Sequence, residues 1–330
     1  MIFNQLNQSL EKTLQSYSRL NDSLASGKRL LAPSDDPNGI ARAIDYTLGI
    51  NANNQFKTNI DAASTSLNVT NTTLTLAEKT LSDIQSLINA ASSGQQDPLN
   101  SASNAKLAGS FRDMLYDLAN TKMTNNQYLF GGFRSDTQPY AAGTYDYQGD
   151  SGIVRVPIDS GATLPVNVTG NATFSYTLAA PISQQIGNGN FVHYTPGAGT
   201  TVDVEIRDAT DTTVLDTFSF SNAIQMTDLL STAIGSNDTS RMQALIQPFA
   251  QVQEQLRTTM ADVGTRVFRL DAQSTWLTNN TNSLTNSLST IVDADPVRTV
   301  AQLKQTEVTL QALRDSASRV LSQSLFDFLK

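Results

Sequence analysis

The stretch from Ser240 to Asp293 constrains the fold of this chain more than any other. Alternating steps of four and three from Met242 reach Ile246, Phe249, Gln253, Leu256, Met260, Val263, Val267, Leu270, Ser274, Leu277, Thr281, Leu284, Leu288 and Ile291. Gln253, Ser274 and Thr281 are the polar exceptions. A stripe repeating every 3.5 residues belongs to a helix whose seam other helices cover, and at ~1.5 Å per residue it predicts a rod of roughly 75 to 80 Å. Arg257, Asp262, Arg266, Arg269 and Asp271 interrupt it with charge. It therefore lacks the ~18 or more consecutive apolar residues of a membrane span.

Such a stripe needs partners, and the chain supplies them. Phe3, Leu6, Leu10, Thr13, Tyr17, Leu20 and Leu24 predict a shorter heptad helix that stops near Ser26-Gly27. After a loop ending in Pro33, Asp36 is placed to cap the next helix and Pro37 to open it, since proline lacks an N–H that would be free there anyway. Ile40, Ile44, Phe56, Ile60, Ala63, Leu67, Asn71, Leu74, Ala77, Leu81, Ile84 and Ile88 keep one face apolar to about Ala91. Gly49 and the asparagines at 51, 53 and 54 allow a kink. A turn from Gln95 to Ser101 leads to a third helix, with Leu107, Phe111, Leu115 and Leu118 on its buried side.

From Gln127 to about Phe220 the period changes from helical to alternating. Runs at 154–158, 201–207 and 214–218, separated by glycine-rich turns, predict strands. Asp295-Pro296 then repeats the cap pattern of Asp36-Pro37. A last amphipathic helix follows, with Val300, Leu303, Leu310, Leu313, Ala317, Val320, Leu321, Leu325, Phe328 and Leu329 at helical spacing. The fold class expected is mainly α with a β-rich insertion: paired terminal helices, an elongated antiparallel helical rod and a small outer β domain. The corresponding divisions are 1–35 with 296–330, 36–138 with 223–295, and 139–222. Two terminal helices alone leave apolar surface uncovered, which suits a chain that assembles with further copies.

Composition narrows the function. A net charge of −8 with only 16% charged residues gives no electrostatic footprint for nucleic acid or an anionic membrane. The absence of cysteine removes disulfides, thiolate chemistry and cysteine metal sites. The segment MIFNQLNQSLEKTLQ lacks the basic start and continuous apolar centre of a secretory signal. No catalytic residue, cofactor site or metal site is expected. His193 is the single histidine and has no partner set in sequence for a ligand or general base. Asp35-Asp36 and Asp293 with Asp295 read as helix-start carboxylates more readily than as calcium ligands. Gly27-Lys28 lacks the upstream glycine and the following serine or threonine of a phosphate loop. Lys28 and Arg29 form a basic step before Asp35 and Asp36, able to pair within or between subunits. Trp276 lies off the seam and is expected to pack against the second or third helix.

One ordered set of motifs spans both ends of the chain. It comprises Ser26-Gly27-Lys28-Arg29, Pro33-Ser34-Asp35-Asp36-Pro37, Ala119-Asn120, Tyr128-Leu129-Phe130-Gly131-Gly132, Pro139-Tyr140 and Tyr147-Gln148-Gly149-Asp150, then Val263-Gly264-Thr265-Arg266, Asp293-Ala294-Asp295 and Ser324-Leu325-Phe326-Asp327-Phe328-Leu329. In order and spacing this set resembles the flagellin superfamily of bacterial flagella, and within it the proteins of the hook and filament junction. The resemblance covers roughly 1–150 and 255–330. It implies a non-enzymatic structural adaptor, secreted unfolded through flagellar type III export and located in the flagellum. The partners implied are further copies in a ring, a preceding hook-associated protein, flagellin, and an export chaperone on the C-terminal helix. No nucleic acid or membrane partner is implied.

Candidate subunit-contact residues are Phe3, Leu6, Leu10, Tyr17, Leu20, Leu24, Lys28, Arg29, Asp35, Asp36, Leu310, Leu313, Leu321, Leu325 and Phe328. The alternatives are a short filament flagellin, or a secreted helical adhesin binding through its β domain. Pro296, where flagellins usually carry tyrosine, and the extra Lys330 weigh against a filament flagellin.

Overall fold

The computed structural model describes residues 2–92, 98–123 and 125–328, and the side chains of 4–92, 100–123 and 125–319. Two compact units emerge, one of Met1–Gln55 with Thr275–Lys330 and one of Phe56–Ser274. Helix α1 (Ile2–Ser26) ends at Gly27, whose φ of +70° is the left-handed conformation that closes a helix without a Cβ penalty. Helix α2 (Pro37–Ala91) runs as one 55-residue segment, through Gly49 and the asparagines at 51, 53 and 54. The polar residue Asn53 is not a weak point: it is buried and donates to Thr281 Oγ1 at 3.2 Å. Helix α3 (Pro98–Ala119) starts at the proline that the sequence assigns to a turn, because proline fits the first helical position.

Strands β1 (Arg155–Asp159) and β2 (Ala162–Pro165) pair antiparallel. After a five-residue helix α4 (Gly170–Phe174) come β3 (Ile182–Gln185), β4 (Phe191–Pro196), β5 (Val202–Arg207) and β6 (Val214–Phe220). These four form an antiparallel meander in chain order. Alternation decides which face is buried: Val202, Val204 and Ile206 of β5 point inward with Val192 and Tyr194 of β4, and Asp203 and Glu205 point outward. Helix α5 (Ala223–Gly235) packs on α3, followed by α6 (Thr239–Val292) and α7 (Pro296–Phe328), and α7 pairs with α1.

The heptad seam of α6 is the buried face. Met242, Phe249, Leu256, Val263, Leu270 and Leu277 are fully enclosed. Two of its polar members find partners on α2: Gln253 donates to Glu78 Oε1 at 3.1 Å, and Thr281 accepts from Asn53. A buried polar seam position is tolerated when its hydrogen bond is made.

Pro248 stands inside α6, where it cannot donate to the carbonyl of Ala244. The buried Tyr194 hydroxyl takes that role, donating to Ala244 O at 2.7 Å. The helix thus continues past a proline because a strand residue satisfies the freed acceptor.

The motif residues Tyr128 to Asp150 form one knot within the Phe56–Ser274 unit. Phe130 stacks edge-on against Phe174 at 5.2 Å, and Tyr140 lies 5.3 Å from Tyr147. Asn120 holds Tyr140 through both backbone groups, accepting from its N–H at 2.9 Å and donating to its carbonyl at 3.3 Å. Asp150 Oδ1 accepts from the N–H groups of Phe133 and Gly152 at 2.7 and 2.8 Å. A Cβ on Gly132, with φ +72°, would lie 2.1 Å from that same carboxylate oxygen. Glycine is therefore required at this position.

Candidate assembly surfaces

The Met1–Gln55 with Thr275–Lys330 unit holds the candidate contact residues, organised by a join between the two ends of the chain. Loop residue Arg29 donates its N–H to Val292 O at 2.7 Å, and its guanidinium donates to Ile291 O at 2.6 Å. Ala294 N–H donates to Gly27 O at 2.8 Å, and Lys28 bridges Asp293 in antiparallel fashion. Ser23, buried at the end of α1, donates to Lys28 O at 2.7 Å. The extended loop after α1 is thereby stitched to the end of α6, where α7 begins.

The acidic residues act locally. Asp36 accepts from Gly39 N–H at 2.9 Å and its carbonyl accepts from Ile40 N–H at 2.9 Å, so it caps α2. Asp35 accepts from the N–H groups of Leu31 and Ala32, both at 3.0 Å, and pairs with Arg19 of α1. Among the described residues the basic step Lys28-Arg29 makes no ion pair with either carboxylate; the cation that meets Asp35 comes from α1, because the loop turns Arg29 toward the end of α6. Asp295 caps α7, accepting from Val297 and Arg298 N–H at 2.9 and 3.2 Å.

Along the pair of terminal helices, Leu6, Leu10, Tyr17 and Leu20 of α1 are half-buried, as is Leu313 of α7, and Leu310 is buried. Leu24, Lys28 and Arg29 are exposed. The side chains of Phe3, Leu321, Leu325 and Phe328 lie outside the described residues. Two helices cover only one edge of each stripe, which explains the half-burial here.

Apolar residues that no periodic seam identified lie open on the same unit. Val297 and Val308, eleven residues and so about three turns apart, share the outer face of α7, with Val297 79% exposed. On α2, Ile44 and Leu48 project at one-turn spacing, Leu48 being 61% exposed, beside a 420 Å³ groove lined also by Ile40, Leu288 and Val292. The sequence assigns Ile44 to the covered face of α2; the structure leaves it open, since the helices of this unit cover only part of that face. Trp276 is 50% exposed, contrary to the packing expected of it, because it sits on α6 away from the covered seam. The signal for these residues is an apolar side chain on the otherwise polar face of an amphipathic helix.

Among the described residues no group of three or more histidine, aspartate or glutamate side chains could hold a metal. Among the described residues no helix is long and apolar enough to cross a membrane. His193, on β4, lies 2.6 Å from Asp211 Oδ1 in the turn between β5 and β6.

The family described as the bacterial flagellin N-terminal helical region matches residues 1–135. The chain is also 21% identical, over all of its own length and 98% of the relative's, to flagellar hook-associated protein 3 of Escherichia coli. Over residues 1–135 it is similar to the flagellin N-terminal region, and over its whole length it resembles hook-associated protein 3. Solved structures agree at the level of fold. A putative flagellar hook-associated protein from Vibrio parahaemolyticus superposes with a TM-score of 0.61 at 17% identity, covering 78% of this chain and 99% of that one. The flagellar junction protein FlgL from Legionella pneumophila gives 0.55 at 17% identity, covering 76% and 100%. The flagellin-superfamily likeness drawn from the motifs is thus found independently in family, sequence and fold, as is the mainly α fold with its β-rich insertion. Several motif residues serve the fold itself: Phe130, Gly132, Tyr140, Tyr147 and Asp150 build the knot beside α4, and Asp36 and Asp295 cap helices.

Proposed function

We propose that this chain is a structural, non-catalytic part of the bacterial flagellum, placed at the junction of hook and filament. Copies form a ring there, seated on a preceding hook-associated protein and offering a seat for flagellin. The observation that carries this reading is the terminal pair α1 and α7, whose mutual stripe is only half-covered and whose outer face exposes Val297 and Val308. Such surface gains most by burial against neighbours, at ~25 cal/mol per Å² of apolar area removed from water. The likeness to hook-associated protein 3 supports the location proposed. In this reading 1–35 with 296–330 is the assembly domain, the fifteen candidate contact residues lie in or beside it, the chain leaves the cell by flagellar export, and a chaperone holds α7 beforehand.

Imaging an epitope-tagged copy in flagellated cells tests the reading. A single band where hook meets filament is expected. Signal along whole filaments would favour a filament flagellin, and signal away from flagella would overturn the assignment.

A further inference from the structure

Phe268 is the most solvent-exposed aromatic side chain of α6, 75% open on a continuous helix. Its neighbours on that face, Gly264, Thr265 and Ala272, are small and also exposed, so the ring stands clear of the helix as an isolated knob. A phenyl ring held in water gives up burial worth about 1.5–3 kcal/mol, and no contact within the Phe56–Ser274 unit uses it.

The same unit contains a hole of matching chemistry. A 310 Å³ apolar cavity opens between α2 and the motif knot, lined among others by Ala63, Ser66, Tyr128, Phe133, Val154 and Val156. Phe133 and Val154 are exposed at its rim. An entering phenyl ring would meet Phe133 and the aliphatic walls of Val154, Val156 and Val166, and aromatic pairs add to the area they bury.

Knob and hole face opposite ways. Arg266 of α6 donates to Asn167 O at 2.9 Å, and Asn167 lines the cavity. Phe268, two residues on, projects about 200° round the helix from Arg266 at ~100° per residue. The ring therefore cannot enter the cavity of its own chain. The flanking charges are complementary as well. Arg269 follows the knob, Asp61 precedes the Ala62 and Ala63 that line the hole, and neither makes an ion pair within the described residues.

We propose that Phe268 of one copy inserts into the Tyr128–Phe133 cavity of the next, with Arg269 meeting Asp61 at the rim. Different patches on opposite faces make a heterologous contact, which each added copy repeats and which closes a ring or extends a helical array. The inference rests on the reading that copies assemble side by side, and it adds a contact in the Phe56–Ser274 unit to those of the terminal helices.

The test replaces Phe268 with a photoreactive phenylalanine analogue in the full-length chain, cross-links it in flagellated cells, and maps the adduct by mass spectrometry. Adducts joining position 268 to the 123–135 or 152–156 peptides of a second copy are expected. Adducts to a different protein, to another region of this chain, or no adduct at all overturn the proposal. A charge exchange provides a second readout: Arg269→Asp should reduce cross-linking by about tenfold or more, and adding Asp61→Arg should restore most of it, since close opposite charges at a rim set register. Failure of the pair to restore it counts against the ionic contact. The junction reading stands or falls separately, on where the tagged copy is seen, so a mapped self-contact with a wrong location, or the reverse, distinguishes the two.

Discussion

The contact between Tyr194 and Ala244 shows how one hydroxyl permits an unusual residue elsewhere. Pro248 deprives the Ala244 carbonyl of its helical donor, and the tyrosine restores it at 2.7 Å. Replacing Tyr194 with phenylalanine keeps the ring and strands a buried acceptor, which costs about 1–3 kcal/mol. Denaturant unfolding should register that loss with an unchanged m-value; a loss below a few tenths of a kcal/mol would mean another donor reaches Ala244. The tyrosines also set an alkaline limit. Burial pushes Tyr147 up to about 12, and burial raises Tyr140 and Tyr194 as well. A folded-state value above the unfolded one of ~10 means the native state holds its proton longer. The contribution is complete below about pH 10 and is lost as pH rises through 12. The melting temperature should accordingly be level with respect to these groups near neutrality and fall above pH 10, and a Tyr147→Phe chain should show a shallower fall. An equally steep fall in that variant would assign the limit to the other tyrosines.

Among the elements, the long helices were legible in sequence because their cue is repeated many times over. Each turn of α2, α6 and α7 restates the same period, so Gly49, Pro248 or a buried Gln253 cannot erase it. Helix α5 and strands β2, β3 and β4 are too short for that redundancy, and the sequence expectation does not include them. For α5 a signal was present: Asn222 accepts from Ile224 and Gln225 N–H at 3.0 and 3.1 Å, and Ile224, Thr227, Leu230 and Ile234 follow on one face. For β3, Ile-Ser-Gln-Gln carries almost no alternation, and its pairing with β4 decides its state. The candidate surfaces were legible only in part, since Leu48, Val297, Val308 and Phe268 fall outside every seam and their exposure depends on what the fold leaves uncovered. Caps were read from local chemistry and can be tested at that scale. Asp295→Ala should destabilise the start of α7 by roughly 0.5–2 kcal/mol, seen as faster amide exchange at Val297 and Arg298; unchanged exchange there would show that the cap is dispensable.

For the molecule as a whole, one compact unit is the continuous stretch Phe56–Ser274, and the other is discontinuous, made of the first 55 residues and the last 56. Removing residues 296–330 should therefore raise amide exchange through residues 4–24 toward that of a free peptide, because an isolated helix of this length is marginal in water. Persistent protection of α1 in the truncated chain would show that it is held without α7. The join of Gly27–Arg29 to Ile291–Ala294 carries a consequence for the order of events. Some 260 residues separate its halves, so the loop it closes is almost the length of the chain, and closing it becomes worthwhile only when most other contacts exist. During synthesis from the N-terminus, α1 has no partner until every other element has followed it. The unit that joins the two ends of the chain is then the last part to find itself.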